Sequence, residues 1–210
     1  MNDGESIAGY ILAGGESSRM GVDKGLLEIA GVPMIVRAAR LVEAVVGPPA
    51  VVVGTPEKYL GLGLRAIADD WPGCGPLGGI ATALRASGAE WNLVVACDLP
   101  YLTREWLEYL LQQARDSEAE AVVPMNPAPA NKRGAEPLCA VYHKGGEPAL
   151  RRALERGVRK VTDGLAELRV EVIEPAKWKG FDSEGLLFKN MNTPSDFEEA
   201  KRKLGGRAKK

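Results

Sequence analysis

The amino-acid sequence predicts an α/β fold of three layers around a mostly parallel central sheet. Short runs rich in Val, Ile and Leu alternate with stretches of helical period, the mark of βαβ units. The 210 residues suit one large domain, and 45% hydrophobic with 26% charged residues is the composition of an ordinary globular chain. No internal repeat and no Ser/Gly linker divides it. Residues 1–204 are therefore expected to form a single domain, with 205–210, "GGRAKK", a disordered tail.

Strands are expected at about 6–12, 50–53, 64–67, 91–97, 120–124, 138–142 and 169–173. Between the first two, "VPMIVRAARLVEAVV" (32–46) sets Ile35, Ala38, Ala39, Val42, Val45 and Val46 near helical spacing. In "AIADDWPGCGPLGGIATALRAS" (66–87) a strand and a turn lead into a helix beginning near Leu77. "TREWLEYLLQQARDS" (103–117) reads as a helix capped by Thr103, with Leu102 and Leu107 placed as a hydrophobic staple. Its buried stripe is expected to be Trp106, Leu107, Leu110, Leu111 and Ala114. "NPAPANKRGAEP" (126–137) has three prolines and a Lys-Arg-Gly sequence, so it reads as a loop; it is either a cover for a substrate or a plain insertion. The last helix, "TPSDFEEAKRKL" (193–204), takes Thr193 as cap and Pro194 as its first residue. Asp196, Glu198 and Glu199 lie early in it and Lys201, Arg202 and Lys203 late, as the helix dipole prefers.

Composition narrows the function. A net charge of −1 implies no general basic surface, so nucleic acid is not the expected partner. Cys74, Cys97 and Cys139 have no CxxC spacing and are odd in number, which fits a reducing cytoplasm better than disulfides or a zinc site. The acidic start "MNDGES" is unlike a signal peptide, and no apolar run approaches the ~20 residues of a membrane span. His143 is the only histidine and reads as a strand-end surface residue. Catalysis must then rest on carboxylates, Lys and Arg, backbone amides and a metal ion.

The stretch that carries chemistry is "LAGGESSRMGVDK" (12–24), directly after the first strand. A glycine-rich turn there can converge N–H groups on an anion. Neither G-x-x-x-x-G-K-[ST] nor G-x-G-x-x-G fits, since Lys24 is followed by Gly25. What remains is a turn at Gly14 and Gly15 with Arg19 and Lys24 as fixed cations close by.

"LAGGESSRMGVDKGLLEIAGVPMI" (12–35) resembles the signature of the nucleotidyltransferases related to molybdenum cofactor guanylyltransferase. Further matches follow in order: "DDWPGCGPLGGI" (69–80), "CDLPYL" (97–102), "EPLCAVY" (136–142) and "NMNTPSDF" (190–197). The resemblance implies a three-layer Rossmann-like fold, with the nucleotide over the carboxyl ends of the strands at 6–12 and 91–97. It implies transfer of GMP from GTP to the terminal phosphate of a molybdenum or tungsten molybdopterin cofactor, with release of pyrophosphate. Mg²⁺ is the implied cofactor, and molybdenum-insertion proteins and recipient oxidoreductases are the implied protein partners. Arg19, Lys24 and Asp98 would be catalytic; Leu12, Ala13, Gly14, Gly15, Lys24, Asp69, Gly78 and Asp98 would surround the nucleotide.

The residues agree with this reading. Arg19 and Lys24 suit the charge gathered on departing pyrophosphate. Asp98 ends a buried strand and can hold Mg²⁺ together with substrate phosphates, although an Asp two residues before Pro100 can also simply open a turn. Asp69 or Asp70 can accept from guanine N1–H and the exocyclic amine, and the resemblance favours Asp69. It also turns Asn190 and Asn192 toward the acceptor, with Pro137 on the same side. The rival readings are a cytidylyltransferase on the same pterin, another small-phosphate nucleotidyltransferase, and a non-catalytic nucleotide-binding protein that hands the cofactor on. "LAGG" and "GPLGG" favour GTP over CTP.

Overall fold

In a computed structural model, the structure describes residues 6–14, 23–126 and 134–206. The chain opens with strand β1 (Ile7–Leu12). A short hairpin follows, β2 (Glu28–Ile29) with β3 (Val32–Pro33), turned by Ala30 and Gly31 at φ 53° and 72°. Two positive φ angles are what a two-residue hairpin turn of matching twist requires. Val32 and Pro33, expected inside the first helix, pair with the hairpin instead, and helix α1 runs Met34–Val46.

Strand β4 (Ala50–Val53) is followed by a 3₁₀ turn (Pro56–Leu62) and β5 (Arg65–Ala68). Helix α2 (Gly75–Ala86) starts two residues ahead of the Leu77 expected from sequence. Strand β6 (Trp91–Ala96) leads to α3 (Arg104–Arg115), whose buried residues are the expected stripe and whose cap Thr103 accepts from the Trp106 amide at 3.2 Å. Then come β7 (Ala121–Pro124), β8 (Cys139–His143) and α4 (Glu147–Glu155). The chain ends with α5 (Val161–Leu165), β9 (Val170–Ile173), α6 (Pro175–Trp178) and α7 (Pro194–Gly205).

The seven-stranded sheet has the order β5-β4-β1-β6-β8-β7-β9. Every pairing is parallel except the two made by β8. Successive residues alternate between its faces. Ile11, Val51, Val53, Leu93, Val95 and Val141 point into one core with α1, α3 and α6. Tyr10, Val52, Val94, Ala140 and Tyr142 point into the other with α2, α4 and α5. A third, small cluster joins Ile29 and Met34 to Met191 and Ala200, so α7 closes over the hairpin.

From β1 the chain moves outward to β4 and β5, then returns to place β6 on the other side of β1. The crevice at the carboxyl ends of β1 and β6 is thus a topological switch point, where open α/β sheets bind ligands. No helix is long and apolar enough to cross a membrane among the described residues. All three cysteines are free.

Candidate active site

Leu12, Ala13 and Gly14 leave the sheet at that switch point. The Ala13 amide donates to Val52 O at 3.1 Å and Leu12 O accepts from the Cys97 amide at 3.1 Å, locking the end of β1 between its neighbours. Gly14 then turns at φ 101°, a conformation L side chains rarely adopt, and is exposed. Gly15 and Arg19, expected at the phosphates, lie outside the described residues, as do 127–133 of the expected loop and 207–210 of the expected tail.

The chain re-enters at Asp23, which accepts from the Gly25 amide at 3.0 Å and from Tyr59 Oη at 2.6 Å. Burial and the bond to Asp23 keep the Tyr59 phenol protonated by raising its pKa. This pair fixes the turn that carries Lys24. Sequence reading assigned no role to Asp23 or Tyr59, since their partnership spans 36 positions.

Lys24 is the hub. Its Nζ donates to Asn192 Oδ1 at 2.9 Å and stands 3.5 Å from Asp98 Oδ2, each side chain of the ion pair about one-fifth exposed. Asp98 follows the end of β6, and its carbonyl accepts from the Met191 amide at 3.0 Å. Burial pushes the Asp98 carboxyl above its ordinary pKa, and the Lys24 charge opposes that shift. Asn192 is held in turn by α7: its amide donates to Asp196 Oδ2 at 3.2 Å, and Asp196 forms a capping box with Thr193. Residues 168 positions apart thereby meet on one ammonium group.

On the β5–α2 side the two neighbouring acids separate in role. Asp70 is taken by Arg85, with bonds of 2.5 and 2.6 Å. Asp69 accepts at Oδ1 from the Trp71 amide and Thr82 Oγ1, both at 2.9 Å, and its Oδ2 has no protein hydrogen bond among the described residues. Asp69 is therefore the acid left with an oxygen to offer. Gly78 acts through packing: a Cβ there would lie 2.8 Å from Trp71 Cβ and 3.0 Å from Trp71 O. Only glycine lets the Asp69–Trp71 turn sit on α2 this closely.

Beside Lys24 opens a cavity of about 950 Å³ whose lining includes Glu136, Pro137, Phe188, Lys189, Asn190 and Asn192. The expected acceptor-side residues Asn190, Asn192 and Pro137 therefore share one space. Asn190 Oδ1 is buried without a hydrogen-bond partner among the described residues. Glu136, which sequence reading passed over, is only 7% exposed, and Asn126 Nδ2 donates to its Oε2 at 3.2 Å. Burial pushes its pKa up to about 7. His143 is half-buried at the end of β8, where it accepts from the Gly145 amide at 3.1 Å.

Among the described residues no group of three or more His, Cys, Asp or Glu is gathered. Asp98 is a single hard oxygen donor, partly exposed at the crevice mouth, which fits Mg²⁺ completed by phosphate and water oxygens rather than an all-protein metal cage.

The chain matches the model of the MobA-like NTP transferase domain over residues 9–170. It is 35% identical, over 92% of its length and 91% of the relative's, to a probable molybdenum cofactor guanylyltransferase of Pelotomaculum thermopropionicum. It is 32% identical, over 93% and 95% of the two chains, to a molybdenum cofactor guanylyltransferase of Desulfosudis oleivorans. Among solved structures, molybdopterin-guanine dinucleotide biosynthesis protein A of Archaeoglobus fulgidus superposes with a TM-score of 0.81 at 27% identity, covering 95% of this chain and 99% of that one.

Proposed function

The chain belongs to the MobA-like NTP transferase family, and from that premise we propose that it transfers GMP from GTP to the terminal phosphate of a molybdopterin-type cofactor carrying molybdenum or tungsten. The products are the guanine dinucleotide cofactor and pyrophosphate. The observation that carries the reading is Lys24 held between Asp98 and Asn192, one at the nucleotide crevice and the other on the wall of the neighbouring cavity.

A terminal oxygen of the acceptor phosphate attacks the α-phosphorus of GTP, and the bond from that phosphorus to the bridging oxygen breaks. The attacking oxygen is already ionised at neutral pH, so no general base is required, which suits a site without histidine. Lys24 lies where it can lead both phosphates together and offset charge as pyrophosphate departs. The backbone at Leu12, Ala13 and Gly14 borders the nucleotide, and Gly15 and Arg19, next in sequence, serve the phosphates. Asp69 takes the guanine edge through its unengaged oxygen, and Gly78 keeps that acid's turn in place. Mg²⁺, when bound, would be held by Asp98 and would neutralise phosphate charge. Asn190 and Asn192 serve the acceptor.

A pyrophosphate-release assay with Mg²⁺, the purified pterin cofactor and each nucleoside triphosphate tests this. Release is expected with GTP alone, and Lys24→Ala should lower it by roughly 10²–10³-fold, the usual cost of one positioned donor to a developing anion. Asp98→Ala should lose activity and its dependence on Mg²⁺. Preferential release with CTP would change the base. Tight GTP binding without release from any nucleotide would point to the cofactor-handover protein.

A further inference from the structure

We infer that Glu136 reads the ring of the acceptor, accepting hydrogen bonds from the adjacent N–H and amino groups on the 2-amino-4-oxo edge of a pterin. The inference rests on the proposed transfer reaction for the identity of the acceptor, and on the cavity for everything else.

Glu136 keeps one carboxyl oxygen unengaged on the cavity side. Glu136 receives one hydrogen bond, from Asn126 to Oε2, and Oε1 has no protein donor among the described residues. The described groups that act on Glu136 are Asn126 and the like charge of Asp98, with no cation to balance it. Once ionised, Glu136 offers the cavity an acceptor only, so its fitting partner brings N–H groups, and a carboxylate takes two adjacent donors of one flat ring in a fork.

Glu136 is also built into place. Its amide donates to Pro124 O at 2.8 Å, the Asn126 amide donates to Gly134 O at 2.6 Å, and Met125 bridges Ala135, so the chain on both sides of 127–133 is laddered where β7 ends. The adjoining wall is aromatic. Trp178 and Phe188 line the cavity with ring centroids 4.9 Å apart at 79°, and Trp178 Nε1 is already engaged by Met125 O at 2.9 Å. That wall offers a face to a planar ring and no competing donor. The cavity that Glu136 lines is also lined by Asn192, which holds Lys24.

Guanine has the same donor edge, so the test separates the two. Ligand-observed NMR titrations use pterin and its 2,4-dioxo analogue lumazine, in which a carbonyl replaces the 2-amino group, against the full chain. The wild-type protein should bind pterin at least about tenfold more tightly than lumazine, the discrimination a lost donor to a buried carboxylate produces. Glu136→Gln should erase that preference while GTP affinity stays within about twofold. Equal binding of the two rings by the wild-type protein, or no binding of either at millimolar concentration, would overturn the inference. So would a preference that survives Glu136→Gln, or a loss of GTP affinity as large as the loss of pterin affinity. The titration needs no turnover. A failed transfer assay beside a clear pterin preference would therefore count against the reaction and leave the ring site standing, and the converse result would do the opposite.

Discussion

A carboxyl group 7% exposed on a cavity wall, with a like charge nearby and one amide for company, burdens the free protein. Glu136 titrates near 7 in the fold against an ordinary value of 4.5. The folded state thus holds its proton more tightly than the unfolded chain, and the stability this gives is full below 4.5 and lost as pH rises through about 7. The shift corresponds to at most about 3 kcal/mol. Glu136→Gln, which keeps the acceptor for Asn126 and removes the charge, should therefore raise the melting temperature at pH 8 and leave it nearly unchanged at pH 4, read by calorimetry at both. A pH-independent difference would mean that Glu136 titrates alike in the folded and unfolded chain. Lys24, Asp98 and Asn192 were legible in the sequence because a cation, an acid at a strand end and amides before a helix are chemically conspicuous. Glu136 was not: a glutamate beside a proline looks like any surface residue, and the cavity around it is built from α5, α6 and the approach to α7. The same holds for Tyr59, whose hydrogen bond to Asp23 no local pattern announces.

Helix α7 shows how one element links stability to the site. Thr193 and Asp196 close its capping box, and the same Asp196 carboxylate receives the Asn192 amide. Thr193→Ala should cost about 1 kcal/mol, as lost caps do, and should also free Asn192 from its register. The expected signature is a raised KM for the acceptor with KM for GTP unchanged, measured in the transfer assay. A stability loss alone would leave the cap without a share in the site. Elements of this kind were readable because caps and apolar stripes are local, and α3 buries the five residues its period announces. What escaped depends on partners distant in sequence. The β2–β3 turn uses Ala-Gly rather than the Asn-Gly that advertises such hairpins, so Val32 and Pro33 read as helix. The reversed direction of β8 was equally hidden, because burial on both faces erases the alternation that marks antiparallel strands.

At the scale of the molecule, the family match ends at residue 170, yet the fold does not. Strand β9 pairs with β7 at the sheet edge, and Met191 and Ala200 complete a cluster with Ile29 and Met34 from the first hairpin and helix. Lys24 likewise finds Asn192 only because the last segment returns across the crevice. The switch-point crevice at β1 and β6 and the cavity beside β7 and β8 stand on one continuous sheet. We therefore propose that residues 1–204 unfold as one unit. Melting followed by far-ultraviolet circular dichroism and by tryptophan fluorescence should give coincident single transitions. GTP at about 100 times its Kd should move both by the same amount, corresponding to roughly 2.7 kcal/mol. If the chain after 170 were an independent appendage, GTP would shift only one of two transitions. Removing α7 would then leave the GTP-dependent transition where it was, instead of exposing Ile29 and Met34 and lowering it.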